Sequence, residues 1–286
     1  MTSPVRMPEE RYPRIAGERS SGRTGRVTIV GAGPGSSDYL TLGALRALQA
    51  ADVVLFDALV QQEVLDLARR EARRIDVGKR CARGSCSQDD INRLAIELAM
   101  QGSHVVRLKS GDPSIFGRAG EEIAECKAAG IPVEIVPGIT AAVAMAARLG
   151  ASLTDRRWAH SVRLITGHAT TGALPEGLDW AGIADPETTL VFYMAGRTAS
   201  GVRDRLLAHG LGNATPVAVA TDISGPGEAF ARGRLGELAA VVATFNLRKP
   251  ILIGVGQVFA SGPEETAALR SRRAQALVNA QPVGGR

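Results

Sequence analysis

The 286-residue chain has no long hydrophobic run. No apolar stretch reaches the ~18 residues that a membrane-spanning helix requires, so the sequence predicts a soluble protein. Residues 1–25 contain basic residues but no apolar core, which argues against a secretion signal and indicates a disordered leader. We expect the last segment, 261–286, to be a loosely ordered tail.

Aromatic residues are also scarce, at 4% of the chain, and the excess of positive charge lies mostly at its two ends. The formal net charge is +5. Residues 1–25 carry five arginines against three glutamates, and residues 261–286 carry four arginines against two glutamates. The body between them is therefore close to neutral, with no basic stripe interleaved with aromatics. This distribution argues against nucleic-acid binding.

Cysteine is rare, and its three positions follow no metal-ligand or redox spacing. Cys81 and Cys86 form an isolated C-x4-C pair, and Cys126 stands alone. We interpret all three as free thiols, and we predict no metal site because the four histidines also lack ligand spacing. Reduced thiols without a secretion signal or a membrane helix favour a cytoplasmic protein.

The chain does contain a regular alternation of short apolar runs and helical patterns from Arg26 onward. Apolar runs such as "RVTIVG" and "DVVLFD" read as buried strands, and residues 61–70 read as one of the helices between them. Another helix begins after Ser87, a good N-cap, and ends before Gly102. This alternation predicts a mainly parallel sheet that helices cover on both faces.

The alternation breaks at "GASLTDRR", residues 150–157. The strands that follow are closely spaced, with fewer helices between them, which predicts a mixed sheet. We therefore predict an α/β protein of two α/β domains, 26–152 and 153–260.

A glycine-rich loop follows the first strand in "VTIVGAGPGSSDYLTL". A Rossmann dinucleotide fingerprint needs G-x-G-x-x-G, but Ser36 stands at the third glycine. Pro34 also removes a backbone N–H where a pyrophosphate would need donors. The loop therefore suits a tight turn and close approach better than phosphate binding. A glycine turn that only connects strand and helix remains an alternative.

Two further loops leave predicted strands at the same edge of the sheet. The stretch "RLKSGDPSIFGR" presents Asp112, and "VPGITAA" starts a helix near Thr140. Ligands of open α/β sheets bind in the crevice at the carboxyl ends of the strands. The crevice would contain backbone groups, one carboxylate and small side chains. Such a crevice suits a ligand with a cationic group and a nucleoside, with no phosphate required.

These stretches together resemble the tetrapyrrole C-methyltransferases. The matching motifs are "VGAGPG", "LTLGALRALQAADVVLFDALV", "VGKR", "INRLAIELA", "VVRLKSGDPSIFGRAGEE", "VPGITAAVA", "TGH" and "TLVFYM". They occur in order over residues 26–260. "FDALV", "VGKR" and "RLKSGDPSIFGR" favour the members that methylate uroporphyrinogen III.

The resemblance implies a homodimer that binds S-adenosylmethionine in a cleft between two α/β domains. The family's cofactor contacts fall on Pro34, Ser110, Gly111, Asp112, Ile115, Thr140, Ala141, Met194, Ile223 and Ile251. On composition alone, Met194 would more often be a core residue, and Asp112 could simply shape a turn before Pro113.

The resemblance also assigns the residues that act on the substrate. Asp57 matches the family's proton acceptor and Lys79 its proton donor, while Arg107 and Arg118 would meet the acetate and propionate arms of uroporphyrinogen III. The implied reaction methylates two ring carbons, C2 and C7, in turn and yields precorrin-2. The alternatives are that Asp57 caps a helix or binds a ribose, and that Lys79 belongs to a solvated basic turn.

Four positions depart from the family pattern, and the first is Phe56, which replaces a tyrosine before Asp57. Ser110 replaces a glycine, Ala58 replaces an arginine beside Asp57, and Arg197 stands where asparagine is frequent. Two other functions therefore stay open: methylation of a later precorrin in the cobalamin pathway, and a weakened cofactor-binding or RNA-associated regulator. The product could enter sirohaem or cobalamin synthesis.

Overall fold

The computed structural model describes residues 24–78, 87–169 and 172–260. The predictions for the leader up to residue 23, for the tail 261–286, and for Lys79, Cys81 and Cys86 lie outside these ranges. Within them, no helix is long and apolar enough to cross a membrane.

The first half of the chain forms a sheet of five strands in the order β3-β2-β4-β1-β5. The strands are β1 (Arg26–Gly31), β2 (Val53–Phe56), β3 (Arg73–Asp76), β4 (His104–Lys109) and β5 (Val133–Val136). Every pair is parallel, as predicted. The central strands are buried on both faces, which explains their continuous apolar runs. All five carboxyl ends therefore lie at one edge of the sheet.

The helices whose complete bounds lie in the described part of the chain's first half follow these strands. They are α1 (Leu42–Ala50), α2 (Gln62–Leu65), α3 (Gln88–Met100), α4 (Ala119–Ala128) and α5 (Ala141–Arg148). The N-cap prediction for α3 is confirmed, because Ser87 and Asp90 form a capping box. Gly102 follows that helix with φ 92°, a conformation that suits glycine.

The helix predicted over 61–70 is wrong in its length, because α2 makes a single turn. Beyond that turn, Leu67 N donates to Val64 O and Ala68 N donates to Leu65 O. These bonds close three-residue turns and take the place of the four-residue α pattern. Val64 and Leu65 are buried by this arrangement.

The second half forms a mixed sheet, as predicted, and its strand order is β6-β7-β10-β8-β9. Among the described strands of this sheet, the β6–β7 pair is parallel and the other three pairs are antiparallel. The strands of this second sheet are β6 (Ser161–Thr166), β7 (Thr188–Tyr193), β8 (Pro216–Thr221), β9 (Ala229–Arg234) and β10 (Ile251–Val255). One face packs against the helices α6 (Trp180–Ile183), α7 (Ala199–Ala208) and α8 (Leu238–Ala243).

The other face of the second sheet packs against α5. Met145 is fully buried in a cluster with Val191, Ala218 and Leu252. Helix α5 precedes the predicted domain boundary, yet its apolar side belongs to the core of the second sheet. The helix therefore joins the two α/β units, and the position of the boundary stays a prediction.

Candidate functional site

The loops after β1 and β4 pair with each other at the carboxyl edge of the first sheet. Gly111 N donates to Gly33 O at 2.7 Å, and Gly33 N donates to Gly111 O at 3.2 Å. Both residues have positive φ, 74° and 69°, which favours glycine. The glycines of both motifs thus hold two loops together at this edge.

The loop after β5 packs against the same pair at very short range. A Cβ atom on Gly31 would lie 2.5 Å from Gly138 N and 2.7 Å from Gly111 O. Real Cβ atoms do not approach so closely, so the three loops meet only because these positions lack side chains. Pro34, one residue beyond the Gly33–Gly111 pair, is half-buried.

Asp112 fastens the loop after β5 to the loop after β4. Its Oδ2 accepts a hydrogen bond from Gly138 N at 2.9 Å, and its Oδ1 accepts one from Ser114 N at 2.8 Å. The Ser114 hydroxyl donates to the same Oδ1. Asp112, which the resemblance predicts to contact the cofactor, therefore holds two of the converging loops together.

The loop after β8 in the second sheet closes onto the first glycine loop. Ser36 N donates to Ser224 Oγ at 2.9 Å. A Cβ on the buried Gly35 would lie 2.8 Å from Ile223 O, so the two loops touch along their backbones. Glycine at position 35 and a short hydroxyl at 224 let the two α/β units meet here.

A second connection between the units is formed by Tyr193, at the end of β7. Its Oη accepts a hydrogen bond from Ala142 N at 3.0 Å and shares one with Thr140 Oγ1 at 2.6 Å. Burial raises the pKa of the Tyr193 hydroxyl, so the phenol stays neutral at physiological pH. Thr140 is the N-cap of α5 but makes no side-chain cap bond, and Tyr193 satisfies the free Ala142 amide instead.

Strained backbone conformations cluster around these connections. Among the described residues, the non-glycine positions with positive φ are Phe116, Arg118, Met194, Asp222 and Ser224. A left-handed conformation costs a non-glycine residue about 1–3 kcal/mol and persists where the surroundings enforce it. All five follow strands that end at the junction of the two units, which is where strain at a functional site is expected.

Two of these strained residues expose large apolar side chains. Phe116 has φ 54° and is 42% exposed, and Met194 has φ 58° and is 47% exposed. The Phe116 ring lies 5.1 Å from the ring of Tyr193, the residue before Met194. The composition-based alternative that Met194 is a core residue is wrong, because its side chain reaches solvent.

Asp57 follows β2 at the same edge and is held by a buried arginine. Arg107 Nη2 donates to Asp57 Oδ1 at 2.6 Å, and the side chains are 4% and 32% exposed respectively. The remaining Arg107 donors reach Glu122 Oε1 at 3.2 Å and the carbonyl oxygens of Leu55 and Leu108. Arg107 was expected to meet substrate carboxylates, but its guanidinium is buried and bonded within the protein. Its position is that of a support for Asp57.

Lys109 lies two residues further along β4 on the same face as Arg107. Its Nζ donates to Glu122 Oε1 at 2.8 Å, and both side chains are about nine-tenths or more buried. Burial lowers the pKa of the Lys109 ammonium, and the neighbouring Arg107 charge lowers it further. One buried carboxylate, Glu122, thus lies between two buried cations.

The other predicted substrate arginine is exposed. Arg118 precedes α4 and pairs with Glu121 on the protein surface, with Nε–Oε1 at 2.8 Å. The expected contact of Arg118 with a substrate carboxylate therefore stays a prediction. The last described residue before Lys79 is Gly78, and a Cβ there would lie 2.6 Å from Ala58 N, so the chain passes directly beside the Asp57 loop.

The remaining predicted contacts divide into two groups. Ser110, Ile115 and Ala141 lie half-buried on the loops and helix start described above. Ile223 is buried in the α5 cluster beside Gly35. The Ile251 side chain lies in the core on the opposite face of the second sheet, and a Cβ on Gly196 would lie 2.9 Å from its Cδ1.

Sequence reasoning missed four residues that the structure places in these networks. They are Lys109, Glu122, Tyr193 and Ser224. Lys109, Glu122 and Tyr193 lie within quoted motifs, and the charged residue in a strand at 109 was a usable signal. The pairings of Glu122 and Ser224 link residues 13 and 188 positions apart, which no local pattern reveals.

The family follows from a comparison of the sequence with family models. Residues 26–239, three quarters of the chain, match the model of the Tetrapyrrole (Corrin/Porphyrin) Methylases. The chain belongs to this family. The resemblance recognised from the motifs is therefore confirmed, as is the fold of two α/β units.

Curated relatives of this tetrapyrrole methylase are siroheme synthases. That of Pseudomonas aeruginosa (strain UCBPP-PA14) is 47% identical over 245 residues, which cover 86% of this chain and 52% of the relative. That of Zymomonas mobilis is 44% identical and is matched over 84% of this chain and 50% of its own length. The chain thus spans about half the length of these proteins.

Solved structures of family members match the whole fold. Uroporphyrin-III C-methyl transferase from Thermus thermophilus, complexed with S-adenosylhomocysteine, has a TM-score of 0.70 and 38% identity, covering 82% of this chain and 98% of that one. A cobalt precorrin-4 methyltransferase has a TM-score of 0.74 and 28% identity, covering 82% and 96%. The two TM-scores are too close to discriminate, and the sequence identity favours the first.

Proposed function

We propose that this protein is an S-adenosylmethionine-dependent C-methyltransferase that converts uroporphyrinogen III to precorrin-2 by two successive ring methylations. The observation that carries the proposal is the union of three glycine-containing loops at the carboxyl edge of the first sheet, closed from the other side by Ser224 and Tyr193. Similarity to a uroporphyrin-III methyl transferase over 98% of that protein's length supports the substrate.

The residues at this cleft fit S-adenosylmethionine. Pro34 lacks a backbone donor, which disfavours a phosphate, whereas exposed Met194 and Phe116 offer apolar surface to a nucleoside. Asp112 and the backbone of Ser110 and Gly111 lie at the same edge. Thr140 is the N-cap and Ala141 the first residue of α5, which follows the loop that Asp112 holds.

The bound cofactor supplies a methyl group on an activated sulfonium, so the protein mainly positions the substrate and excludes water. We assign Asp57 as the base that accepts the proton leaving the methylated ring carbon. The carboxylate is about one third exposed at the cleft edge, and Arg107 fixes its orientation. Exposed Arg118 would bind a substrate carboxylate. Lys79 remains the proposed proton donor.

An anaerobic assay with uroporphyrinogen III and methyl-labelled S-adenosylmethionine tests the proposal. The expected result is a product that carries two labelled methyl groups on each macrocycle. Transfer only to a later precorrin would establish the alternative methylase, whose fold the similar cobalt precorrin-4 methyltransferase shares. Binding of S-adenosylhomocysteine without any transfer would point to a regulator. Homodimer formation stays a prediction that size-exclusion chromatography with light scattering checks.

A further inference from the structure

We infer that Glu122, on α4, is a positioning residue that holds the proposed base Asp57 in place through Arg107. This inference rests on the proposed function. The path consists of two contacts, from Glu122 Oε1 to Arg107 Nε at 3.2 Å and from Arg107 Nη2 to Asp57 Oδ1 at 2.6 Å. Glu122 does not itself reach the cleft, because its side chain is 5% exposed.

The arginine is suited to this link because its planar guanidinium presents donors in fixed directions. Nε points to Glu122 while Nη2 points to Asp57, so the orientation of one end sets that of the other. The carbonyl oxygens of Leu55 and Leu108 accept from Nη1 and limit rotation of the group. Arg107 thus connects the buried Glu122 carboxylate to Asp57 at the edge of the sheet.

Glu122 is held in turn by three donors that converge on one oxygen. Besides Arg107 Nε, its Oε1 accepts from Lys109 Nζ at 2.8 Å and from Gln88 Nε2 at 3.0 Å. Gln88 also donates to Asn92 Oδ1 at 2.9 Å, which ties α3 into the network. A carboxylate bonded to two strand residues and one helix residue is a rigid anchor.

The buried charges around Glu122 also indicate a role beyond packing. Arg107 and Lys109 are buried cations, and in the described part of the chain Glu122 is the one buried carboxylate bonded to them. Glu122 Oε2 is buried and has no hydrogen-bond partner among the described residues. A buried atom without a partner is costly, and such arrangements persist at functional sites, where orientation matters more than stability.

The first test compares Glu122→Gln with Glu125→Gln, the same substitution at an exposed position of α4. We expect Glu122→Gln to lower the turnover number about 10- to 100-fold, because misplacement of a catalytic group by about 1 Å has effects of this size. The KM for S-adenosylmethionine and the affinity for S-adenosylhomocysteine should stay unchanged. Glu125→Gln should behave as the wild type.

A double-mutant cycle with Asp57→Asn separates positioning from general destabilisation. If Glu122 acts through Asp57, then Glu122→Gln should change the residual turnover of Asp57→Asn by less than about twofold. An effect of the same size in both backgrounds would overturn the inference. If the Glu122→Gln variant does not fold, the cycle uses Arg107→Lys in its place. Lysine keeps the positive charge of residue 107 but cannot bond to both Glu122 and Asp57.

Crystal structures of the wild type and of the same variant, either Glu122→Gln or Arg107→Lys, test the inference without a measurement of activity. We expect the side chain of Asp57 to leave its wild-type position, at which Oδ1 accepts from residue 107. An Asp57 carboxylate that keeps its wild-type position and hydrogen bond would overturn the inference. A wild-type enzyme that does not methylate uroporphyrinogen III would refute the proposed function alone, because the crystallographic comparison still applies.

Discussion

The hydroxyl of Tyr193 lies 2.6 Å from Thr140 Oγ1, so the end of a strand in the second sheet caps the start of α5. The same hydroxyl accepts a hydrogen bond from Ala142 N. Helix α5 emerges from the loop that Asp112 fastens to the first sheet. The Tyr193–Thr140 pair therefore links the two α/β units at the proposed cofactor cleft.

Replacing Tyr193 with phenylalanine should lower the free energy of unfolding by about 1–3 kcal/mol, because the Ala142 amide loses its partner in a half-buried place. The affinity for S-adenosylhomocysteine should fall as well. Urea denaturation and isothermal titration calorimetry measure the two effects. Tyr39→Phe serves as the control, since no hydrogen bond of the Tyr39 hydroxyl occurs in the described structure. Equal effects of both substitutions would contradict the role of Tyr193.

Gly138→Ala should disrupt the union of the three loops. The added Cβ would collide with Gly111 O and would lie 2.8 Å from Gly31 Cα. Overpacking of this kind costs about 1–3 kcal/mol, and binding of S-adenosylhomocysteine should weaken with it. Gly120→Ala is the matched control, because its Cβ meets nothing within 4 Å and alanine favours the helix. If the Gly138→Ala variant binds S-adenosylhomocysteine as tightly as the wild type, the contact between the three loops does not contribute to the cofactor site.

Asp57→Asn should lower the turnover number about 100-fold or more while the affinity for S-adenosylhomocysteine stays the same. The loss is expected because a positioned base contributes about 10²–10⁴-fold to a rate. Steady-state kinetics with uroporphyrinogen III and calorimetry measure the two quantities. Asp66→Asn is the control, since Asp66 is exposed and pairs only with surface groups. Undiminished turnover of Asp57→Asn would exclude the residue as the base.

The ion pair between Arg148 and Glu228 should make stability depend on acidic pH. Its hydrogen bonds lower the pKa of the Glu228 carboxyl below the ordinary value of 4.5. A lowered pKa in the folded state gives stability that is present above pH 4.5 and is lost as the pH falls through the lowered pKa.

Thermal unfolding checks this expectation. Glu228→Gln should reduce Tm by a few degrees at neutral pH, and the difference from the wild type should disappear below the lowered pKa. Glu237→Gln, an exposed helix-start position, should show no such pH dependence. A constant difference at all pH values would contradict the ion-pair explanation.

The sequence alone determined the two α/β units, the mainly parallel first sheet, the mixed second sheet and the family. These follow from local patterns, because strand runs, caps such as Ser87 and glycine turns are set by neighbouring residues. The motifs also indicated which loops would lie at the carboxyl edge. The length of α2 was not predictable, since three-residue turns and burial of Val64 and Leu65 decide it.

Only the tertiary structure decided the partners of the functional side chains. Asp57 and Arg107 are 50 residues apart, and Thr140 and Tyr193 are 53 apart. Their contacts depend on sheet register and on the packing of α5, which no short pattern encodes. The sequence therefore led to the prediction that Arg107 binds the substrate. In the structure, its burial between β4 and α4 makes it a support for Asp57.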